Sequence, residues 1–472
     1  MKRVISIPIK FLQTLQNKCH LFYFIRFAGS LIKKNTRLKL IIINLLNRFP
    51  LLRNKIYHLK WHSENFNKSS YIVKHTQNYI RNLKYKNISF KKNFDELILI
   101  GEINGYHSLP SINRNIIFNL LGKIGKISMI VYHHRYFDKL EKNALLEDEY
   151  NRLNSITIDK DISPNNNRVA LYHHDPVISD VKEIYGDPIA MFFWEESRIP
   201  KEFITTLHTK YKGIIVASYF VKNVLINNGC VAPIKVAAIP IKEPVHSKRY
   251  KKENKDRINL LHLSSCLPIK GVDILLKAFN AACKIIDFDM RLTIKTFANP
   301  YDGHGPIWSV NDQTQPTTNN ESNLVNYRNF HINNISELVD NLVNDAFKDK
   351  IKIIFDEDLT VEDMARLYEE CDMIVLPTRG GNMNLPAIEA AYLKKPLIVT
   401  NFGAQCEFLG SPVRFLDYKF TKASTHFDPS YSIWAEPSED SLLESILTLS
   451  EKILLHNKKL LKELEEQKES IK

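Results

Sequence analysis

The 472-residue sequence predicts an α/β protein with two parallel-sheet domains, preceded by a basic helical extension. Three observations carry this. From residue 95 onward, apolar runs of strand length alternate with segments of helical spacing, the pattern of a parallel sheet under covering helices. The charged stretch "EPVHSKRYKKENKDR" divides that alternation into two blocks of similar length. The net charge of +13 is confined to one end. Residues 1–90 hold eighteen Lys and Arg against the single acid Glu64, whereas the other 382 residues hold 47 basic and 51 acidic side chains.

The extension, 1–90, contains "IKFLQTLQNKCHLFYFIRF" and "SLIKKNTRLKLIIINLLNRF", both of helical length with apolar and basic positions interleaved. Two readings stand side by side: helices lying on an anionic membrane surface, or an extension whose charge merely solvates it. Neither stretch reaches the ~18–20 clean apolar residues of a membrane span, and no signal-peptide pattern is read. The six cysteines lack zinc spacing and read as reduced, buried residues of a cytoplasmic protein, peripheral on the inner membrane face if the extension binds lipid. The basic excess lies outside the folded body and no nucleic-acid motif accompanies it, so nucleic-acid binding is disfavoured.

The first block, 91–245, reads as strands at "ELILIG", "ISMIVYHH", "RVALYHH", "PIAMFFW" and "GIIVASYF". The second, 256–440, runs "INLLHLSS", "VDILLKAFNAACK", "MRLTIKTF", "IKIIFDE", "VEDMARLYEEC", "DMIVLP", "PAIEAAYLKK" and "PLIVT", with a polar insertion at "NPYDGHGPIWSVNDQTQPTTNNESN". Residues 441–472 read as an amphipathic helix. Ligands of such sheets bind beyond the carboxyl ends of the strands, so the loops there hold the chemistry.

Two loops stand out in a chain with only 15 glycines. In "DMIVLPTRGGNMNLPAIEAAYLKK" a strand feeds a glycine-bearing loop and then a helix with Pro386 in its first turn. Backbone N–H groups and the helix dipole favour an anion there, and glycine lets backbone approach a ligand. Glu389, one turn in, has a carboxylate able to accept two ribose hydroxyls. In "LSSCLPIKGVDILLKAF", Lys270 precedes a helix and offers a compact charge to a diphosphate. Taken singly, each also reads as an ordinary surface residue.

Together, these blocks resemble the donor-binding half of the retaining GT-B glycosyltransferases of family 4. The likeness continues in "GEINGYHSLPSINRNI", a glycine-bearing first loop, and in "FFWEESRIPKEF", "IIVASYFVKNVLINNG" and "STHFDPSYSIWAEP", which match a subgroup with a Trp-Glu-Glu-Ser stretch. It spans residues 95–445 and implies two Rossmann-like domains facing across a cleft. It also implies transfer of a sugar, with retention, from a nucleoside-diphosphate donor to a glycan or lipid-linked glycan, as in cell-surface polysaccharide synthesis. By the resemblance Lys270 contacts the diphosphate, Glu389 the ribose, and the loop Gly380, Gly381, Asn382, Asn384 and Leu385 the sugar and phosphates. Gly105 brings the first loop to the donor.

Two positions depart from the family. Gly381 stands where it has a glutamate, eight residues before Glu389, and Ser265 where it has an arginine, five before Lys270. Arg379, Asn382 or Asn384 is the expected substitute. The alternative is a GT-B-fold binding or scaffold protein with impaired catalysis. On the acceptor side, Glu195 and Glu196 are candidates to activate or position a hydroxyl, with His173, His174 and Asp175 beside them. No acidic pair suits Mg²⁺, so metal-independent transfer without a cofactor is expected.

Overall fold

The computed structural model describes residues 94–470 apart from gaps, the longest at 245–255, 297–324 and 424–431. The extension 1–90, most of the charged divider, the polar insertion and Asp175 lie outside the described residues. Both sheets belong to one compact unit.

The first sheet is built from β1 (Glu96–Gly101), β2 (Lys126–His133), β3 (Tyr136–Phe137), β4 (Arg168–His173), β5 (Asp187–Met191), β6 (Gly213–Val216) and β7 (Ile234–Val236). Its order is β3-β2-β1-β4-β5-β6-β7, parallel except for the edge strand β3. Every residue of β1 is buried, as a strand covered on both faces requires. The three-residue β7 and two-residue β3 were not read in the sequence, because so short a run has no measurable period.

The second sheet contains β8 (Arg257–Leu263) and β9 (Asp289–Lys295). After the small hairpin β10 (Val325–Tyr327) and β11 (Phe330–Ile332) it continues with β12 (Ile351–Ile354), β13 (Met373–Leu376), β14 (Leu397–Thr400) and β15 (Arg414–Leu416). All its strands are parallel, in the order β12-β9-β8-β13-β14-β15. Counted within the domain this is the doubly wound order of a Rossmann sheet, which reverses between β8 and β13. The first sheet reverses between β1 and β4. The antiparallel pair β16 (Tyr418–Lys422) and β17 (Ile433–Pro437) follows. The chain ends in a helix, Glu439–Ser470, whose Leu442 and Ile446 share a core with helix Val272–Cys283.

The loops at the carboxyl ends of the two sheets meet. Met383 and Leu385, from the loop after β13, are buried in the core of the first sheet with Ile103, Met191 and Ala217. Burying side chains of this size stabilises by about 1.5–3 kcal/mol each. The Ser197 amide donates to the Ile433 carbonyl at 3.2 Å, and the Ile433 amide to Ser197 Oγ at 2.8 Å. At a third point Glu407 caps a helix of the other sheet. Its carboxylate accepts from the Tyr219 and Phe220 amides at 2.9 and 2.7 Å, satisfying N–H groups that a helix start leaves open.

Candidate functional site

After β8 the chain makes a single tight turn, Pro268–Lys270, and enters helix Val272–Cys283 through Gly271 at φ +74°. A Cβ on Gly271 would stand 2.0 Å from the Pro377 carbonyl oxygen, so only glycine lets the loops after β8 and β13 lie together. The Arg379 amide completes the join, donating to the Ile269 carbonyl at 2.7 Å. Lys270 is thereby delivered to the point where the second sheet reverses.

The glycines of the loop after β13 are packed closely against the protein itself. A Cβ on Gly380 would lie 2.6 Å from the Glu195 carbonyl oxygen and 2.6 Å from Ile269 Cδ1. The close approach is to the first domain's backbone at Glu195 and to the second domain's own Ile269. Gly381 accepts from the Ala404 amide at 2.7 Å, and a Cβ there would fall 2.8 Å from the Phe402 carbonyl oxygen. Any side chain at position 381 would therefore require this backbone to shift. Asn384 adopts φ 52°, ψ 68°, a left-handed conformation that Asn tolerates, and its Nδ2 donates to Gln405 Oε1 at 2.7 Å. Gln405, fully buried, donates in turn to the Thr400 and Phe402 carbonyls. Between these anchors, the backbone N–H groups of residues 380–385 make no hydrogen bond among the described residues. The buried Asn382 Oδ1 has no partner either.

Glu389 is half-buried in helix Leu385–Tyr392. Tyr368 donates its hydroxyl to Glu389 Oε2 at 2.5 Å, and burial raises the Glu389 pKa against the opposing effect of that bond. The other oxygen makes no hydrogen bond among the described residues.

The remaining expectations separate. Glu195 reaches Lys270, whose Nζ lies 2.8 Å from Oε1 and 3.1 Å from Oε2. Glu196 points away; its carboxylate is buried and accepts the Ser432 hydroxyl, tying β17 to the first domain. Arg379 is no substitute for the missing ligands, because its guanidinium is buried on Asp273 and Glu436. Leu385 has its side chain in the apolar core between the domains. Ser265 is half-buried beside the Lys270 turn. Gly105, at φ +91°, offers its carbonyl to Arg114 Nη1 at 2.7 Å.

Several residues escaped the sequence reading. Arg114 also donates to the Ile103 carbonyl at 2.6 Å, pinning the first loop. Asn113 donates to the Glu102 carbonyl at 2.8 Å, so its Oδ1 faces His173 Nδ1, 2.5 Å away, which must carry the proton. Among the described residues His173 Nε2 is then a buried lone pair without a partner, at the reversal point of the first sheet. Their signal was faint: two adjacent polar residues on the buried face of a helix.

His262 is the counterpart in the second sheet. Its Nδ1 donates to the Val375 carbonyl at 2.7 Å and its Nε2 accepts the Ser264 hydroxyl at 2.7 Å. Burial lowers the pKa of His173 to about 3 and of His262 to about 4; His174 adds to the first shift and Lys270 to the second. Both stay neutral when folded, whereas the unfolded chain protonates them near pH ~6.5. Below that value the unfolded state binds more protons, so stability falls as pH drops from about 6.5 toward 4. Urea midpoints measured across this window should climb with pH, and His262→Gln should flatten the climb; an unchanged slope would remove His262 as a cause.

Among the described residues no three His, Cys, Asp or Glu side chains converge to hold a metal. No helix among them is long and apolar enough to cross a membrane.

No protein-family model matches the chain, and no curated protein is similar to it. Several solved structures are. The crystal structure of TarM is 12% identical with a TM-score of 0.41, over 61% of this chain and 49% of TarM, so about half of TarM's length is matched. The trehalose-6-phosphate synthase OtsA is 10% identical with a TM-score of 0.47, over 77% of this chain and 96% of OtsA. Sucrose-phosphate synthase from Thermosynechococcus elongatus is 11% identical with a TM-score of 0.45, over 78% and 99%.

Proposed function

We propose that this chain is a GT-B glycosyltransferase that moves a sugar from a nucleoside-diphosphate donor to a glycan or lipid-linked glycan, with retention and without a metal. One observation carries the reading. Lys270, the unbonded N–H groups of residues 380–385 and the unpaired oxygen of Glu389 all belong to the two loop-and-helix connections at the reversal point of one Rossmann sheet. That is a donor-rich cradle for phosphates with an acceptor set one helical turn away, the complement of a nucleoside diphosphate.

In this reading Glu389 accepts the ribose hydroxyls while Lys270 and the loop N–H groups take up charge as the diphosphate leaves. The bond from the anomeric carbon to the phosphate oxygen breaks, the acceptor oxygen bonds to that carbon on the same face, and the acceptor proton departs on the phosphate. His173 Nε2, a lone pair only, suits a sugar hydroxyl. Of the two sequence candidates on the acceptor side, Glu195 is the one whose carboxylate stands beside Lys270. Gly381 removes a sugar contact of the resembled family without disturbing the phosphate cradle, so a purely scaffolding role is not favoured.

Calorimetric titration with UDP, GDP and ADP tests this. One nucleotide should bind the wild type, and Lys270→Ala should weaken it by ~1.5–3 kcal/mol, the worth of hydrogen bonds to a charged group. No binding at millimolar concentration would sink the reading.

A further inference from the structure

The Lys270–Glu195 ion pair joins residues 75 apart in sequence and from different sheets, and it lies within the proposed phosphate cradle. We infer that Glu195 is a built-in competitor for the anion: its carboxylate occupies Lys270 until a diphosphate displaces it. Arrival of the donor then frees Glu195 for the acceptor. The inference rests on the proposed function and adds an order of binding to it, donor before acceptor.

Three features support displacement rather than a permanent structural pair. Glu195 engages Lys270 with both oxygens, at 2.8 and 3.1 Å, so a phosphate seeking the same ammonium meets a carboxylate already using its donors. An adjacent carboxylate also repels a polyanion, so the two cannot share the cation without cost. Side-chain exposures of 24% and 28% leave the pair partly solvated, where ion pairs are weak enough to exchange. The Arg379 pairs a few residues away, with every member at most 6% exposed, show what a permanent bridge looks like in this protein.

The exchange requires only a side-chain movement. The Glu195 backbone is clamped, its carbonyl pressed where a Cβ of Gly380 would stand and the neighbouring Ser197 bonded to Ile433. The domains stay together while the carboxylate swings. Glu195 therefore remains beside the crevice once released, which a hinge opening would not ensure.

The test titrates inorganic pyrophosphate and UDP into the full chain as wild type, Glu195→Gln, Glu195→Asp and Lys270→Ala. Removing the competing charge should tighten pyrophosphate binding by about 1.5- to fivefold in Glu195→Gln, the range in which breaking a partly exposed ion pair changes an equilibrium. Glu195→Asp keeps the charge on a shorter stem and should fall between, and it reads the same effect if the glutamine variant folds poorly. In Lys270→Ala, pyrophosphate binding should be lost. Unchanged or weaker binding in the Glu195 variants, with Lys270→Ala still impaired, would overturn the competition while leaving the site intact. Equal binding by wild type and Lys270→Ala would instead remove the anion site, and the proposed function with it.

Discussion

Replacing Arg379 with methionine is expected to destabilise the protein by about 3–5 kcal/mol, because it breaks buried ion pairs from one side. Arg379 is 1% exposed. It forks onto Asp273 at 2.7 and 2.6 Å and onto Glu436 at 2.8 and 3.1 Å, while also donating to the Pro268 carbonyl. Its guanidinium carbon sits 5.3 Å from the Trp434 ring centroid. One cation thus serves two carboxylates that are themselves 6% and 3% exposed. Methionine fills the volume and leaves both anions buried without it, which is the expensive half of a buried salt bridge. Adding Asp273→Asn and Glu436→Gln should recover much of the loss, since the charges left behind cause it. Lysine should not rescue, because a point charge cannot make two forks. Guanidinium unfolding measures all three; a loss below about 1 kcal/mol for methionine would show that the cluster is already compensated from elsewhere. The same bonds join the Pro268–Lys270 turn, helix Val272–Cys283, the loop after β13 and strand β17, so the floor of the proposed phosphate cradle depends on them.

Substituting Glu389 with glutamine should move binding and stability in opposite directions. Glutamine keeps an oxygen for the Tyr368 hydroxyl but gives up the charge that would hold two ribose hydroxyls, so nucleotide affinity should drop by ~1.5–3 kcal/mol. Stability should rise. Burial lifts the Glu389 pKa above its ordinary value, so its protonated form contributes stability below that value, and this is lost as pH climbs through the folded one. Above the folded pKa the buried carboxylate therefore costs stability, and glutamine removes the cost. Thermal unfolding and calorimetry on one preparation separate the two effects. Lower stability together with undiminished nucleotide affinity would mark Glu389 as a structural partner of Tyr368 instead.

Much of the architecture was legible because parallel-sheet strands and their covering helices are written in local periodicity. "ELILIG", "DMIVLP" and "PLIVT" each became a buried strand, at Glu96–Gly101, Met373–Leu376 and Leu397–Thr400. The three-residue β7 and β15 escaped for want of length. The Lys270-Gly271 turn was also legible, since glycine before a helix is a local backbone demand; that Pro377 enforces it was not.

What the sequence by itself determined is the set of elements, their alternation and the connections that hold the polar chemistry, all properties of neighbouring residues. Tertiary structure alone decided which charge meets which. Arg379 and Lys270 look equally available to a phosphate along the chain, yet one is buried on Asp273, 106 residues away, and the other faces Glu195 at a half-open edge. Glu195 and Glu196 are adjacent in sequence, but one carboxylate reaches Lys270 and the other is buried on Ser432. The physical reason is that the strength and availability of a charge depend on its desolvation and its partner. Both are set by chain segments far apart in sequence, which only the folded protein brings together.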